Sequence, residues 1–159
     1  MAGFTYPPVS FHFRVEIDKV AGEIGFQSVE GLNAKVGQTT HAEGGENTFT
    51  HHLPDRTNYG DLTLKRGMVI GSALISWFND AIQNFKFDPR NVTVTLLNAE
   101  HEPLDQWIFI NAWCKEWNIE NFDAMSGKVA TESIVLSYQY FKRAGLPGRD
   151  QALTPKSRI

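Results

Sequence analysis

The sequence predicts a mainly β fold: a small antiparallel β-barrel or sandwich of about seven strands, with one flanking amphipathic α-helix and a long extended loop. Apolar and polar residues alternate in short segments along most of the chain, which is the period of a half-buried strand. Turn-forming residues separate these segments at short spacing, which favours antiparallel pairing. A single segment has the three- and four-residue apolar spacing of a helix.

The length and composition fit one globular domain. A chain of 159 residues is expected to bury roughly 70% of its unfolded surface on folding. Its 15 basic and 18 acidic residues give a net charge of −3, which argues against recognition of nucleic acid by a basic face. No apolar run approaches the ~18 residues of a membrane span, so we expect no membrane insertion by this chain. A single cysteine, Cys114, excludes an internal disulfide, and no signal peptide is recognised, so we expect synthesis in a reducing cytoplasm.

The chain divides into three parts. Residues 1–9 contain Pro7-Pro8 and are expected to form an extended N-terminal arm. Residues 10–143 carry all the periodic segments and form the predicted β-barrel domain. Residues 144–159 contain two prolines and two glycines and show no period, so we interpret them as a C-terminal tail.

Two strands are predicted before the loop. Residues 11–17 alternate between apolar and polar side chains, as a half-buried strand does. The next apolar segment, 24–32, is interrupted by Gly25 and Gly31, so we expect a strand with a bend or bulge. Residues 33–42 are polar and are expected to be extended, leading into the loop.

The loop at 38–60 is the most unusual part of the sequence. Its first half has neither a helical nor a strand period, and it contains glycines, a proline and adjacent histidines. Long polar loops inside small domains are uncommon and often have a function. Leu62 and Leu64 then alternate with polar residues up to Gly67, which predicts the strand that anchors the loop to the barrel.

One helix is predicted at 72–85. Ser72 is the expected N-cap, with its side-chain oxygen accepting a backbone N–H of the first turn. The pair Asp88-Pro89 forces the chain out of the helical conformation. The opposite face is polar, so the helix is expected to bury one side only. Its apolar stripe consists of Leu74, Trp77, Phe78, Ala81, Ile82 and Phe85.

Four more strands are predicted after the helix. Alternation places them at 92–96, 107–110, 115–122 and 134–141. The segment 107–110 is apolar on both faces, so we expect it to be central in the sheet or to lie at an interface. The segment 115–122 shows the weakest alternation of the four.

Two histidines suggest a metal site, and their spacing argues against it. His51 and His52 have His41 and Glu43 nearby as candidate metal ligands. Adjacent histidines on a strand point to opposite faces, so they do not readily share one metal ion. We therefore favour the interpretation that they are polar loop residues, and we predict no metal site.

Two further patterns suggest chemistry and are weak. Cys114 with His101 as its base is a candidate nucleophile, but a lone cysteine beside a tryptophan is usually a small buried hydrophobe. Glu43-Gly44-Gly45 lacks the spacing of a phosphate-binding loop, and its acidic residue opposes phosphate. The sequence therefore predicts neither a catalytic site nor a cofactor.

Two features favour an interface. Lys65 and Arg66 form a small basic cluster, which either lies in a solvated turn or pairs with an acidic loop of a neighbouring subunit. Trp107, Trp113 and Trp117 are core residues, interface anchors or the lining of a ligand pocket. The residues alone leave these alternatives open.

The order of these features resembles the inner-tube proteins of contractile phage tails and of phage-like contractile injection systems. The resemblance covers 10–143, and its motifs are specific in combination rather than one by one. The matching residues are Gly25-Phe26, Val29, Glu30, Gly31, Leu32, Glu43, Gly44, Gly45, Asn47, His52, Leu53, Pro54, Arg56, Tyr59, Leu62, Thr63, Leu64, Lys65, Arg66, Gly67, Trp77, Trp107, Phe109, Ala112, Lys115, Val129, Ala130 and Glu132.

The resemblance implies a structural function without catalysis. Such proteins form a small β-barrel with a flanking helix, and six copies close into a ring. The rings stack into a hollow tube, which contraction of a surrounding sheath drives through a target envelope. The implied partners are further copies of the chain, the sheath protein, a baseplate or hub tube-initiator, and a terminator cap or tape-measure protein. Cargo, or DNA in a phage, would pass through the lumen.

The resemblance also implies where subunits touch. Stacking requires a segment that reaches out of the barrel, and 38–60 is the long internal candidate. The expected contact residues between subunits and rings are Glu43, Gly44, Gly45, Asn47, His52, Arg56, Tyr59, Lys65 and Arg66. A polar lumen face is expected to draw on strand residues such as Arg14, Glu16, Thr93, Thr95 and Ser137.

Alternatives to a trunk-tube subunit are kept open. The chain could instead be a tube-initiating baseplate paralogue, since such subunits share the fold. It could also be a soluble β-barrel that binds a small apolar ligand through its tryptophans. Trunk subunits belong to a phage tail or to an extracellular or cell-anchored tail-like particle, and the sequence does not choose between them.

Overall fold

A computed structural model describes residues 11–21, 24–45, 48–69, 71–120, 123, 125 and 127–145. The predicted arm at 1–9 and nearly all of the predicted tail at 144–159 lie outside the described residues. The division into arm, barrel domain and tail therefore stays a prediction.

The described part of the chain contains ten strands and one helix, so the fold is mainly β as predicted, with more strands than the expected seven. The strands are β1 His12–Ile17, β2 Ile24–Phe26, β3 Ser28–Glu30, β4 Ala34–His41, β5 His51–Tyr59, β6 Leu62–Gly67, β7 Arg90–Leu97, β8 Pro103–Glu120, β9 Thr131–Ser137 and β10 Tyr140–Arg143, and the helix is α1 Ala73–Ile82.

One antiparallel sheet forms the body of the protein, in the order β2-β1-β7-β8-β9-β6-β3, and β10 pairs with β8. The two ends of this order, β2 and β3, are consecutive in the chain and are separated by Gln27 alone. The Gln27 N–H donates to the carbonyl of Lys65 on β6 at 2.8 Å. The sheet thus curls until its last strand adjoins its first, which confirms the bend expected in 24–32.

The strand boundaries after the helix differ from the predicted ones for local reasons. The predicted strands at 107–110 and 115–122 are one strand, β8, as far as Glu120, the last described residue of this stretch, and β8 bends instead of ending between them. Asn111 adopts a φ of 51° there, and the pairing with β9 shifts between Cys114 and Glu116, as at a β-bulge. The last predicted strand divides into β9 and β10, which both pair with β8. As expected for 107–110, β8 is central, because β7 and β10 flank it.

The core lies between the inward face of this sheet and α1. Leu74, Trp77, Phe78 and Ala81 of the helix are buried, and the Phe78 ring lies 6.4 Å from the Trp117 ring of β8. The buried sheet residues are apolar and come from six strands: Val15, Ile17, Phe26, Leu62, Leu64, Val92, Val94, Phe109, Ala112, Cys114, Ile134 and Leu136.

The helix is shorter than predicted. It ends at Ile82 rather than at 85, and both Ile82 and Phe85, which were expected on the buried stripe, are exposed. Phe85 has a φ of 50°, in the left-handed region, so the chain has left the helical conformation before it reaches Pro89. Ser72 is the N-cap residue, but its hydroxyl accepts from Arg66 Nη2 at 3.3 Å and caps no helix N–H in the described part.

The antiparallel pairing gives the barrel two distinct ends. We call one the helix end; it contains the last residues of β1 and β6 and the first residue of β7, which are Ile17, Gly67 and Arg90. We call the other the hairpin end; it contains the first residue of β1, the last of β7 and the first of β8, which are His12, Leu97 and Pro103. Strands β4 and β5 leave from the hairpin end, because they follow the last residue of β3 and precede the first residue of β6.

Candidate subunit interface

The predicted long loop is a β-hairpin. Strands β4 and β5 form a separate two-stranded antiparallel sheet, paired from Ala34 opposite Tyr59 to His41 opposite His51. The expectation that 38–60 is an extended loop is therefore correct only for the tip, because the arms on either side are regular strands. A bulge opposite Gly37 shifts the pairing, and a Cβ at that glycine would lie 3.2 Å from the Arg56 carbonyl.

Nearly every hairpin residue is exposed, on both faces of the ribbon. An isolated two-stranded ribbon is marginally stable in water at best. This hairpin therefore depends on its attachment to the barrel and on whatever covers it in an assembly.

The base of the hairpin is held by close backbone contacts. The Gly60 N–H donates to Asn33 Oδ1 at 3.0 Å, and Lys115 Nζ on β8 donates to Asp61 Oδ2 at 2.6 Å. Gly31 has a φ of +90°, and a Cβ at this position would lie 1.9 Å from the carbonyl oxygen of Asp61. Only glycine fits there, because the segment that enters the hairpin and the segment that leaves it pass in direct backbone contact at Gly31.

Replacing Gly31 with alanine is expected to lower the free energy of unfolding by about 2–3 kcal/mol, because the new methyl group meets backbone at a left-handed residue. Urea denaturation followed by circular dichroism measures this change. Gly44→Ala is the matched control, since a Cβ there meets no described atom within 4 Å, and it is expected to change little. Equal stabilities for the two variants would contradict the close contact.

Tyr59 anchors the hairpin to the barrel. Its ring lies 5.4 Å from that of Phe141 on β10 and 6.1 Å from that of Tyr138. Burial raises the pKa of Tyr138 to about 12, with smaller contributions from Asp61 and Tyr59, so this phenol stays neutral at physiological pH. Tyr59 was predicted as a contact between subunits, and in the monomer its half-buried ring already packs inside the subunit.

The other predicted contact residues of the hairpin are accessible. Glu43, Gly44 and Gly45 lie at its tip, and His52 and Arg56 lie exposed on β5. Asn47 lies outside the described residues. These positions fit a contact surface and remain predictions.

The basic pair Lys65-Arg66 divides between surface and core. Lys65 Nζ lies 3.4 Å from Glu30 Oε1 in a surface ion pair. Arg66 is buried and donates from Nε to Glu132 Oε1, which leaves this side chain little surface for the predicted contact between subunits. Successive strand residues point to opposite faces, which places Arg66 on the same inward face as Leu64.

A buried polar network surrounds Arg66. Trp117 Nε1 donates to the second oxygen of Glu132 at 3.2 Å, and the Arg66 guanidinium lies 5.5 Å from the centre of the Phe26 ring. The network joins β2, β6, β8 and β9 to Ser72 at the start of α1. Both charges are satisfied within the subunit, as a buried ion pair requires.

The candidate chemical sites are not assembled. His51 lies opposite His41 and 3.7 Å from Glu43, but the described residues contain no group of three or more His, Cys, Asp or Glu side chains able to hold a metal ion. Burial raises the pKa of the Cys114 thiol to about 11. His101 stacks on His12 at the hairpin end, away from that thiol.

The tryptophans do not line a common pocket. Trp107 and Trp117 pack against the core, whereas Trp113 lines an open apolar groove beside the segment between α1 and β7. We call this the aromatic groove; it has a volume of about 490 Å³ and consists of Phe85, Phe87, Pro89 and Trp113. The groove was not predicted, because the helical spacing places Phe85 on the buried stripe of the helix.

Four of the five residues considered for a lumen face share one side of the sheet. Arg14 lies opposite Thr95, and Glu16 lies opposite Thr93, on the face of β1 and β7 that points away from the core. Thr95 is buried on that side, whereas Thr93 is half-buried. Ser137 lies on β9, in another part of the sheet. Among the described residues, no helix has the length and apolar character needed to cross a membrane.

Comparisons with known proteins identify a family and similar solved structures. The sequence model for the T4-like virus tail tube protein gp19 matches residues 9–142. No curated protein sequence matches. A chain in the structure of the anti-feeding prophage baseplate is 28% identical, with a TM-score of 0.76 over 89% of this chain and 97% of that chain.

Two further solved structures have the same fold. A chain in the sheath–tube complex of the PVC extracellular contractile injection system, in its extended state, is 26% identical, with a TM-score of 0.75 over 90% of this chain and 95% of that chain. Hcp1 from Flavobacterium johnsoniae is 17% identical, with a TM-score of 0.57 over 85% of this chain and 96% of that chain. At this identity the match shows likeness of fold alone. The chain belongs to the family of T4-like virus tail tube proteins, and it is a structural tube subunit.

Proposed function

We propose that six copies of this chain close into a ring and that the rings stack into a hollow tube inside a contractile sheath. The chain itself performs no catalysis, and the energy for driving the tube through a target envelope comes from the sheath. The observation that carries the proposal is the β4–β5 hairpin, which projects from one end of a family-typical barrel and is exposed on both faces. Such a ribbon needs a partner to cover it.

The partners of the tube are those of the similar structures. Relatives occur in a baseplate, in a tube-terminating cap and in a sheath–tube complex. We infer that this chain likewise meets a sheath protein, a baseplate initiator and a terminator, and that it is synthesised in a bacterial cytoplasm before assembly. The lumen would pass cargo, with Arg14, Glu16 and Thr93 on the candidate lining face.

Closing a ring requires a heterologous contact, in which two different patches of one subunit meet. Strand β8 suits such a contact, since Ile108 and Ile110 point away from the core and are only half-buried. The hairpin projects from one end of the barrel, so the two ends present different surfaces. We therefore expect rings to stack head to tail, with the hairpin end of one subunit against the helix end of the next.

A second candidate is a subunit that initiates the tube at the baseplate. A chain in the anti-feeding prophage baseplate structure shares this fold at 28% identity, and this similarity supports the second candidate. Co-assembly separates the two roles: a trunk subunit forms tubes of many rings by itself, whereas an initiator forms single rings and requires another protein for elongation.

Electron microscopy of the purified protein tests the proposal. Rings or tubes of uniform width are the expected result. A strictly monomeric protein that binds a small apolar ligand would instead support the rival function of a ligand-binding barrel.

Deleting residues 40–50, at the tip of the hairpin, sharpens this test. We expect the variant to keep its β-rich circular dichroism spectrum, because the described residues of this segment, 40–45 and 48–50, are exposed and are not part of the core. We expect rings to remain and tubes to be lost. Loss of the β spectrum would mean that the tip is needed for folding rather than for stacking.

A further inference from the structure

Three side chains with metal-binding donor atoms lie together next to the tip of the β4–β5 hairpin. They are His41 at the end of β4, His51 at the start of β5, and Glu43, two residues beyond His41. We propose that they form a site for a divalent transition-metal ion such as Zn²⁺, which holds the two strands of the hairpin together. The inference does not depend on the tube function, because all three ligands belong to one subunit.

The register of the hairpin places two of the histidines on the same face. His41 lies directly opposite His51, and the next pair away from the tip is Thr40 opposite His52. Directly opposite residues of an antiparallel pair point to the same side and have Cβ atoms about 4.5–5.5 Å apart. Two imidazoles at this spacing can reach one ion, since a Zn–N bond is about 2.0–2.1 Å long.

The separation between Glu43 and His51 suits a shared ion. His51 Nε2 lies 3.7 Å from Glu43 Oε1, which is too long for a hydrogen bond. Two ligand atoms of one tetrahedral zinc ion are about 3.4 Å apart, because Zn–N and Zn–O bonds are about 2.0–2.2 Å long. A small closure of this contact would leave both atoms at bonding distance from an ion between them.

The side chains are free to converge on an ion. As they are oriented in the structure, the described residues form no ready group of three ligands. The side chains of His51 and Glu43 are 43% and 62% exposed, and His41 is exposed as well. Exposed side chains change rotamer within nanoseconds, so the ion itself can gather its ligands.

The types of ligand match a zinc site with one open position. Two histidines and one glutamate bind zinc in several enzymes, with water as the fourth ligand. Imidazole donors also suit Cu²⁺ and Ni²⁺, so Zn²⁺ represents a class of ions here. The site lies on a ribbon that is exposed on both faces, so we assign the ion a structural role and no reaction.

An ion at this position would stabilise the part of the hairpin that is farthest from the barrel. The described pairing of β4 with β5 ends at His41 opposite His51, and a two-stranded ribbon is marginally stable in water. An ion that binds the paired strands better than the separated ones favours the paired state by mass action. The proposed site would therefore set the rigidity of the tip according to the metal supply.

Isothermal titration calorimetry with zinc chloride tests the site, on the full chain prepared without a histidine tag. We expect the wild type to bind one ion per chain. His41→Ala and His51→Ala are each expected to bind at least about tenfold more weakly, because each removes one of only three protein ligands. Glu43→Gln removes the carboxylate and keeps the size of the side chain, and it is expected to weaken binding as well.

His52→Ala is the matched control. Its imidazole is next to His51 in the sequence but points to the other face of the ribbon, so this variant is expected to bind zinc as the wild type does. Circular dichroism should be unchanged in every variant, because these residues lie outside the core. The remaining histidines, His12 and His101, stack on each other elsewhere and stay intact throughout.

Hydrogen exchange followed by mass spectrometry gives a second readout. Zinc is expected to slow exchange of the backbone amides in residues 38–41 and 51–54 of the wild type, and to leave the exchange of these amides unchanged in His51→Ala. Zinc binding without this protection would overturn the proposed clamp.

The remaining outcomes decide where the ion binds. No saturable binding by the wild type, or equal weakening in His51→Ala and His52→Ala, would overturn the site. Binding that survives in both His41→Ala and His51→Ala would place the ion elsewhere, and one ion shared by two chains would assign the ligands to two molecules; both results overturn it. Each of these results leaves the tube function standing, whereas a chain that binds zinc but forms neither rings nor tubes would overturn that function alone.

Discussion

Replacing Glu132 with alanine is expected to lower the free energy of unfolding by about 3–5 kcal/mol, because it leaves the guanidinium of Arg66 buried without its carboxylate. The Trp117 N–H loses its acceptor in the same step. Urea denaturation followed by tryptophan fluorescence and circular dichroism measures the loss. The network joins four strands to the start of α1, so we expect the whole barrel to unfold as one unit at a lower urea concentration.

The neighbouring surface ion pair provides the control for this prediction. Glu30→Ala removes the partner of Lys65, whose pair is largely exposed, and is expected to cost less than about 1 kcal/mol. A double change, Arg66→Met with Glu132→Leu, removes both buried charges and is expected to restore most of the lost stability. Equal losses of unfolding free energy in Glu132→Ala and Glu30→Ala would contradict the prediction, because they would show that the buried Arg66–Glu132 pair contributes no more to stability than a surface pair.

The second large effect is expected from Trp77→Ala, at about 3–5 kcal/mol, since it removes a buried ring from the helix–sheet contact. The Trp77 ring packs 5.5 Å from that of Phe78, and its N–H donates to the carbonyl of Asp88 at 2.9 Å. The Arg90 guanidinium lies 5.3 Å from the centre of the same ring. Trp77 thus connects α1 to the segment before β7. This segment carries Phe85 and Phe87 of the aromatic groove.

Thermal and urea denaturation of Trp77→Ala measure this effect. Ile82→Ala on the same helix is the control: its side chain is half exposed, so the change is expected to cost under about 1 kcal/mol. Trp77→Phe keeps one six-membered ring but loses the hydrogen bond to Asp88 and part of the buried indole, so its loss of stability is expected to fall between those of the other two variants. A Trp77→Ala variant as stable as wild type would mean that α1 does not rely on this ring.

The fold class was predictable because one face of each barrel strand is buried within the subunit. Because one face is buried, apolar and polar residues alternate along β1, β6, β7 and β9, and the sequence shows this alternation directly. The hairpin strands β4 and β5 were missed for the same reason. Neither of their faces is covered in the monomer, so their sequence carries no alternation of apolar and polar residues.

The burial of Arg66 and the exposure of Phe85 both differ from expectation, and the sequence explains each in part. Arg66 continues the inward series of Leu62 and Leu64, so strand parity already places it in the core. Phe85 continues the helical spacing, and the stop signal at Pro89 comes too late to show that α1 ends at Ile82. The aromatic groove arises from this early end, and it could not be predicted from spacing alone.

The difference between the helix end and the hairpin end gives direction to any filament built by stacking this subunit. In such a filament the hairpins at one terminus stay uncovered, whereas the other terminus presents the opposite end of the barrel. Addition at the two termini then uses different halves of one contact, so the two rates of growth need not be equal. A protein that covers the hairpins alone would stop elongation at a single terminus, and the length of the filament would be controlled there.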